Sequence, residues 1–386
     1  MSSAEPSEVL GDGTRLVHAG DEPVVPGTPL RPSPVFAAPY HLGDQPPGAG
    51  GADSYARPDN PTLRVFERAV GELDGGDCLS FATGMAAISS AVLALTRPGD
   101  RVVLPSDGYY TTRVLARDEL ERFGLQVELV PTLRIGDVAA RGDLAGARLV
   151  MLETPSNPQL DVCDIAAVAE ATQAAGAVLA VDNTTATPIG QRPLALGADV
   201  VVAADTKALT GHSDVLLGHV STARTDWGRE LHTRIAQWRK TTGNPPGPFE
   251  AWLAHRSMGT LDLRLARQAA NAAAVSAVLA DCPSVRGVRW PGRPEDPSYA
   301  LAQRQMLRQN GVVSCEFPDS EAVLAFVRAS RLVLAATSFG GVHTTIDRRA
   351  QWGGDAVPAG FVRFSCGIED TTDLVADLTR ALGALG

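Results

Sequence analysis

Cysteine is sparse and unpaired in this 386-residue chain: Cys78, Cys163, Cys282, Cys315 and Cys366 are scattered, and no CxxC pair occurs. Neither a zinc ribbon nor a disulfide framework is indicated, and a reducing cytoplasm is the expected compartment. The seven histidines contain no HExxH spacing, so no catalytic metal is expected. Basic charge is also short: 34 Lys and Arg against 44 Asp and Glu leave a net charge of −10. That balance argues against nucleic acid as a partner, which needs a clustered basic surface. It does not exclude a small anion held at a local site. No apolar run approaches a membrane span. The opening MSSAEPSEVLGDG has no basic segment ahead of an apolar core, so no secretory signal is expected. GAGGAD follows no strand and is a poor dinucleotide loop, and TGHSDV fails the GxSxG elbow, leaving His212 as support for its turn.

What is present is a globular composition, 44% hydrophobic and 20% charged, enough for one large or two ordinary domains. Residues 1–60 are rich in Pro and Gly and read as an extended arm without a core of its own. From NPTLRVFERAV to about residue 245, helical patterns alternate with short apolar runs: RVVLP, ARLVMLE, GAVLAV and DVVVAA. Such runs indicate an α/β fold with a mostly parallel sheet covered by helices on both faces. The Pro-rich break NPPGPFEAW begins a smaller α+β domain over 246–386, with strands expected at GVVSCEF and FVRFSCG.

Ligands of open α/β sheets bind beyond the carboxyl ends of the strands. Tyr109, Asn157, Asp182 and Lys207 all follow such ends, on one edge of one sheet. A lone lysine is ordinarily a solvated surface charge; this convergence argues otherwise. FATGMAAISS places Gly84 at the start of a small-residue helix, whose N-terminus offers N–H groups and a positive dipole end to an anion. Asp182 closes a buried strand, where a carboxylate is costly without a cation or strong donors; helix capping is the plainer alternative. An anion seat, a lysine amine and a buried acid are what pyridoxal 5′-phosphate requires for its phosphate, its aldehyde and its protonated ring nitrogen.

YARPDNPT, FATGMAA, ETPSNP, VDNTTATP, LGADVVVAADTKALTGHSD and FVRFSCGIED, in that order from about residue 55 to 370, resemble the Cys/Met metabolism family of pyridoxal phosphate enzymes. These are the cystathionine γ-lyases, cystathionine γ-synthases and methionine γ-lyases. The resemblance implies fold type I, the aspartate aminotransferase type, assembled as a homotetramer of two dimers with shared active sites. It implies Lys207 as the Schiff-base lysine, Asp182 as partner of the pyridine nitrogen, and Asn157 on the phenolic oxygen. Tyr109 would stack on the ring and act as acid and base; Gly84, Met85 and Thr206 would hold the phosphate. Tyr55 and Arg57, in the arm, would reach the neighbouring subunit's phosphate. Arg363, beside Ser338 and Thr337, would clamp the carboxylate of a small sulfur amino acid.

Several positions depart from the family pattern. Ala204 stands where a serine is usual, removing one phosphate hydroxyl. Tyr110 and Thr111 replace small residues, and Thr337 replaces the glutamate common in lyases acting on cystathionine. Arg348 and Arg349 occupy a usually neutral stretch. The activity implied first is γ-elimination of cystathionine by a carbon–sulfur lyase. γ-Replacement on an activated homoserine, elimination from methionine, and a catalytically silent binding protein are the rivals.

Overall fold

The computed structural model describes residues 10–21, 25–42, 44 and 53–385; residues 1–9 of the arm and most of the Gly-rich stretch at 48–53 lie outside them. Within the segment expected to be extended, α1 (Asp12–His18) is a short helix that buries Leu16. Helix α2 (Pro61–Asp74) begins where local chemistry dictates. Asn60 Oδ1 accepts the Thr62 N–H at 2.8 Å, Pro61 sits in the first turn, and Gly75 ends the helix at φ 76°.

The large domain continues through β1 (Gly76–Phe81), α3 (Gly84–Leu95), β2 (Arg101–Pro105), α4 (Tyr110–Val114) and β3 (Gln126–Val130). Then come α5 (Thr132–Ala140), β4 (Ala147–Glu153), α6 (Ile165–Ala175), β5 (Val178–Asp182), β6 (Val200–Ala203), β7 (Gly218–Ala223) and α7 (Asp226–Thr242). The seven strands lie in the order β1-β7-β6-β5-β4-β2-β3. Strands β2 to β6 pair in parallel, and β7 runs antiparallel between β1 and β6. One face packs Met151, Ala180 and Val202 against Ile88 and Val92 of α3 and Ile235 of α7. The other packs Val150, Leu179 and Val181 against Ile135 of α5 and Val168 of α6. Burial on both faces is why β4, β5 and β6 read as unbroken apolar runs. Strands β1 and β7 were hidden in the sequence because polar residues sit in them, among them the buried Ser80, His219, Ser221 and Thr222.

The C-terminal part carries α8 (Pro248–Met258), α9 (Leu261–Ala280), β8 (Arg286–Arg289), α10 (Tyr299–Gln305), β9 (Val312–Glu316) and α11 (Ser320–Ala329). It ends with β10 (Leu334–Ala335), β11 (Thr345–Arg348), β12 (Phe361–Ser365) and α12 (Thr371–Leu382). A five-stranded sheet, β10-β11-β12-β9-β8, holds its own core around Val313, Phe326, Phe364 and Leu378. Leu16 of α1 packs into a third core with Phe66 of α2 and Leu261 of α9. Among the described residues no helix is long and apolar enough to cross a membrane.

Candidate active site

The carboxyl ends of the large-domain strands open onto a cavity of about 360 Å³, closed on the other side by residues from β12 and from the loops around β10 and β11. Gly84, Met85, Tyr109, Asn157, Asp182, Thr206, Lys207, Thr337, Ser338 and Arg363 all line it. Ten of the twelve residues singled out from the sequence thus converge. Tyr55 and Arg57 do not. They stand together in the arm, the Arg57 guanidinium 5.3 Å from the centre of the half-exposed Tyr55 ring, and Tyr55 bridges Pro39.

Lys207 sits in the turn after β6. Its Nζ donates to Ser338 Oγ at 2.9 Å and lies 5.4 Å from the centre of the Phe339 ring. Burial, helped by the positive charges of Arg363 and Arg349 and opposed by Asp182, lowers its pKa to about 8. The turn is gripped from behind by Arg264 of α9, whose Nη1 donates to Ala208 O at 2.6 Å and Nη2 to Leu209 O at 3.0 Å. His212 stays out of the cavity, its Nδ1 2.6 Å from Thr210 O. Ser338, which receives the lysine, holds a left-handed backbone at φ 72°. Such strain in a residue other than glycine persists only where its surroundings overdetermine it, and here Arg363 Nη2 pins Ser338 O at 2.8 Å.

Helix α3 is capped by Thr83, whose Oγ1 accepts the Ala86 N–H at 3.0 Å. Helical geometry leaves the N–H groups of Gly84 and Met85 without intrahelical acceptors. Gly84 is required by close approach: a Cβ there would lie 2.4 Å from Ala204 Cβ. Thr206 faces the same wall, though its hydroxyl already exchanges hydrogen bonds with Leu217 O (3.2 Å) and Leu217 N (3.0 Å).

Asp182 ends β5 buried and accepts from Thr184 N at 3.0 Å. Burial raises its pKa, offset by the Thr184 hydrogen bonds and by the charges of His219 and Lys207. Its neighbour across the ladder is Glu153, the last residue of β4. Glu153 lines the cavity and was not singled out from the sequence. Its two oxygens take the Tyr109 N–H at 2.6 Å and the Asn157 N–H at 2.7 Å, so one carboxyl fixes both residues. Burial, then the negative charge of Asp182, pushes its pKa well up. The visible clue was an acid closing an otherwise apolar strand.

Opposite, Arg363 is buried, with Nη1 on Asn157 Oδ1 (2.5 Å), Nη2 on Asp347 Oδ2 (3.2 Å), and its Nε without a partner among the described residues. Burial and the charge of Arg349 lower its pKa to about 10. Arg349 is itself buried between Asp347 (2.6 Å) and Asp355 (2.7 Å), and Asp355 also pairs with Arg113 (2.5 Å). Arg349, Trp352 and Tyr110 form part of the cavity wall, whereas Arg348 and Thr111 do not line it.

A free helix N-terminus, an amine with depressed pKa, a buried acid and a buried guanidinium with an unpartnered Nε match the phosphate, aldehyde, ring nitrogen and substrate carboxylate of pyridoxal phosphate chemistry. On this mostly parallel sheet with its smaller α+β domain, they define a fold type I pyridoxal phosphate enzyme. The chain belongs to the Cys/Met metabolism PLP-dependent enzyme family, whose model matches residues 14–383, and its cofactor is pyridoxal 5′-phosphate. It is 52% identical over 379 residues to a Streptomyces coelicolor protein with the provisional name cystathionine gamma-lyase, covering 96% of this chain and 93% of that protein. It is 39% identical over 386 residues to the cystathionine gamma-synthase of Mycobacterium tuberculosis, covering 97% of each. The crystal structure of metB from Corynebacterium glutamicum superposes with a TM-score of 0.92 at 34% identity, covering 98% of this chain and 99% of that one.

Proposed function

We propose that this chain is a carbon–sulfur lyase that cleaves L-cystathionine by γ-elimination to cysteine, 2-oxobutanoate and ammonia. The observation that carries it is Lys207 Nζ, its pKa lowered by burial to about 8, in one cavity with the buried Arg363, whose Nε has no partner among the described residues. When bound, pyridoxal phosphate supplies an electron sink for the charge left on the substrate's α-carbon. Gly84, Met85 and Thr206 would take its phosphate, Asn157 its phenolic oxygen and Lys207 its aldehyde carbon, with Asp182 holding a proton on the ring nitrogen. Tyr55 and Arg57 would complete the phosphate site of a neighbouring subunit in a homotetramer of two dimers. Localisation in the cytoplasm belongs to the same proposal.

Arg363 and Ser338 hold the substrate carboxylate and so orient its α-hydrogen toward Lys207. The Lys207 amine would accept that proton, give it up to the bound cofactor and, neutral again, take one from the β-carbon, while Tyr109 Oη would protonate the departing sulfur. The name of the Streptomyces coelicolor relative supports elimination. The name of the Mycobacterium tuberculosis relative, with a neutral Thr337 in the wall, supports a second reading, γ-replacement on an activated homoserine; elimination from methionine uses the same groups. Incubation of purified protein with cystathionine, with methionine, and with O-succinylhomoserine plus cysteine separates them. 2-Oxobutanoate from cystathionine is the expected result; thioether formation without it would reject the lyase.

A further inference from the structure

Behind the cavity, three residues that do not line it form one buried chain. His219 of β7 places Nδ1 2.7 Å from Asp205 Oδ1 and Nε2 3.1 Å from Asp74 Oδ2, and all three side chains are inaccessible to solvent. Ser221 Oγ donates to Asp74 Oδ2 at 2.6 Å. A neutral imidazole donates through one nitrogen only, so a ring that meets an ionised carboxylate at each nitrogen must carry a second proton or leave one acceptor facing another. Asp74 adds to the demand for positive charge. It is the last residue of α2, where the helix dipole disfavours an anion.

The chain reaches the reactive turn covalently, because Asp205 stands two residues before Lys207. Asp205 O accepts the Thr210 N–H at 3.1 Å, and Thr206 N donates to Leu217 O at 3.3 Å, which ties the turn to the residue just before β7, the strand that bears His219. The charged groups acting on or felt by His219 come from three elements, Asp74 on α2, Asp205 on the turn and Asp182 on β5, and the Cys78 thiol on β1 shares Asp74 and Asp205 and also feels Glu67 on α2. Glu67 is already paired with Arg239 at 2.5 Å. Among the described residues, His219 is therefore the one cation between these two carboxylates.

We propose that Asp74, His219 and Asp205 act as a unit of positioning residues, with an imidazolium that locks the Lys207 turn and keeps Asp182 ionised. The proposal rests on Lys207 being the cofactor-bearing lysine. Burial pulls the His219 pKa down, but Asp205 and Asp74 outweigh it and hold the ring at about 10. A group raised in the folded state stabilises fully below its unfolded pKa, near 6.5, and loses that contribution as pH climbs toward 10.

The test is the pH dependence of the visible absorption band of the loaded protein, together with heat unfolding across pH 6 to 10, in wild type, His219→Gln and Asp74→Asn. Removing a buried positive charge favours protonation nearby, so His219→Gln should move the midpoint of the band to higher pH by roughly half a unit or more. It should also flatten the loss of stability on the alkaline side. Asp74→Asn, which keeps the side chain's shape but removes a negative charge, should move the midpoint the other way, and it carries the test alone should His219→Gln fail to fold. Variants with a lower melting temperature but an unmoved midpoint would overturn the proposal and leave a merely structural histidine. A wild type without any visible band would instead overturn the assignment of Lys207, a different outcome from either.

Discussion

On the large-domain side of the cavity, groups are set by local backbone: Asp182 and Glu153 at adjacent strand ends, and Gly84 and Met85 at a helix start. Glu153 is balanced by two backbone N–H groups without any cation. The facing side is built by charge compensation. Arg113, Arg349 and Arg363 interlock with Asp347 and Asp355, three cations against two anions. Under the proposed function, the surplus positive charge would match one substrate carboxylate. Under that function the first wall would hold one cofactor that stays and the second small anions that come and go, so its interlocked charges are where a substitution would retune the substrate.

Four perturbations sharpen that contrast. Lys207→Ala should lower kcat by at least about 1,000-fold and abolish the visible band, since both proton transfers and the covalent anchor are lost. Asp355→Asn should cost about 3 kcal/mol in urea unfolding, because it deprives Arg113 and Arg349 of a shared buried anion. Cofactor content should hardly change, and a stability unchanged within error would show the lattice to be dispensable. Arg363→Lys keeps the charge but loses the planar fork, so KM should rise about 10- to 100-fold with little effect on cofactor binding. The smallest effect concerns Lys207 itself. Capture of pyridoxal phosphate by the cofactor-free protein needs the neutral amine, so its rate should rise with pH through a midpoint near 8. Arg349 is among the cations holding that pKa down. Arg349→Met should therefore shift the midpoint upward, by roughly a few tenths of a unit; a downward shift would contradict the sign.

Most of the first wall was legible because its signals are local. An apolar run ending in Asp-Asn or Asp-Thr-Lys marks a parallel strand and the place where its ligand sits. A further signal was available in Lys207 and Lys240 being the only lysines of the chain, which makes a surface role for one of them less ordinary. Glu153 stood inside a recognised motif, yet its role depends on Tyr109, 44 residues away. Arg264, 57 residues beyond Lys207, and His219, between Asp74 and Asp205, are invisible to any short window for the same reason.

The sequence by itself determined the α/β class, the strand ends that carry Asn157, Asp182 and Lys207, and the kind of cofactor they suit, because strand periodicity and end residues are short-range properties. Only the tertiary structure decided which charges meet: Arg349 between two aspartates, Arg363 with a free Nε, Lys207 on the strained Ser338. Burial sets the strength of each of those contacts and the pKa values that follow, and burial is a property of the folded whole.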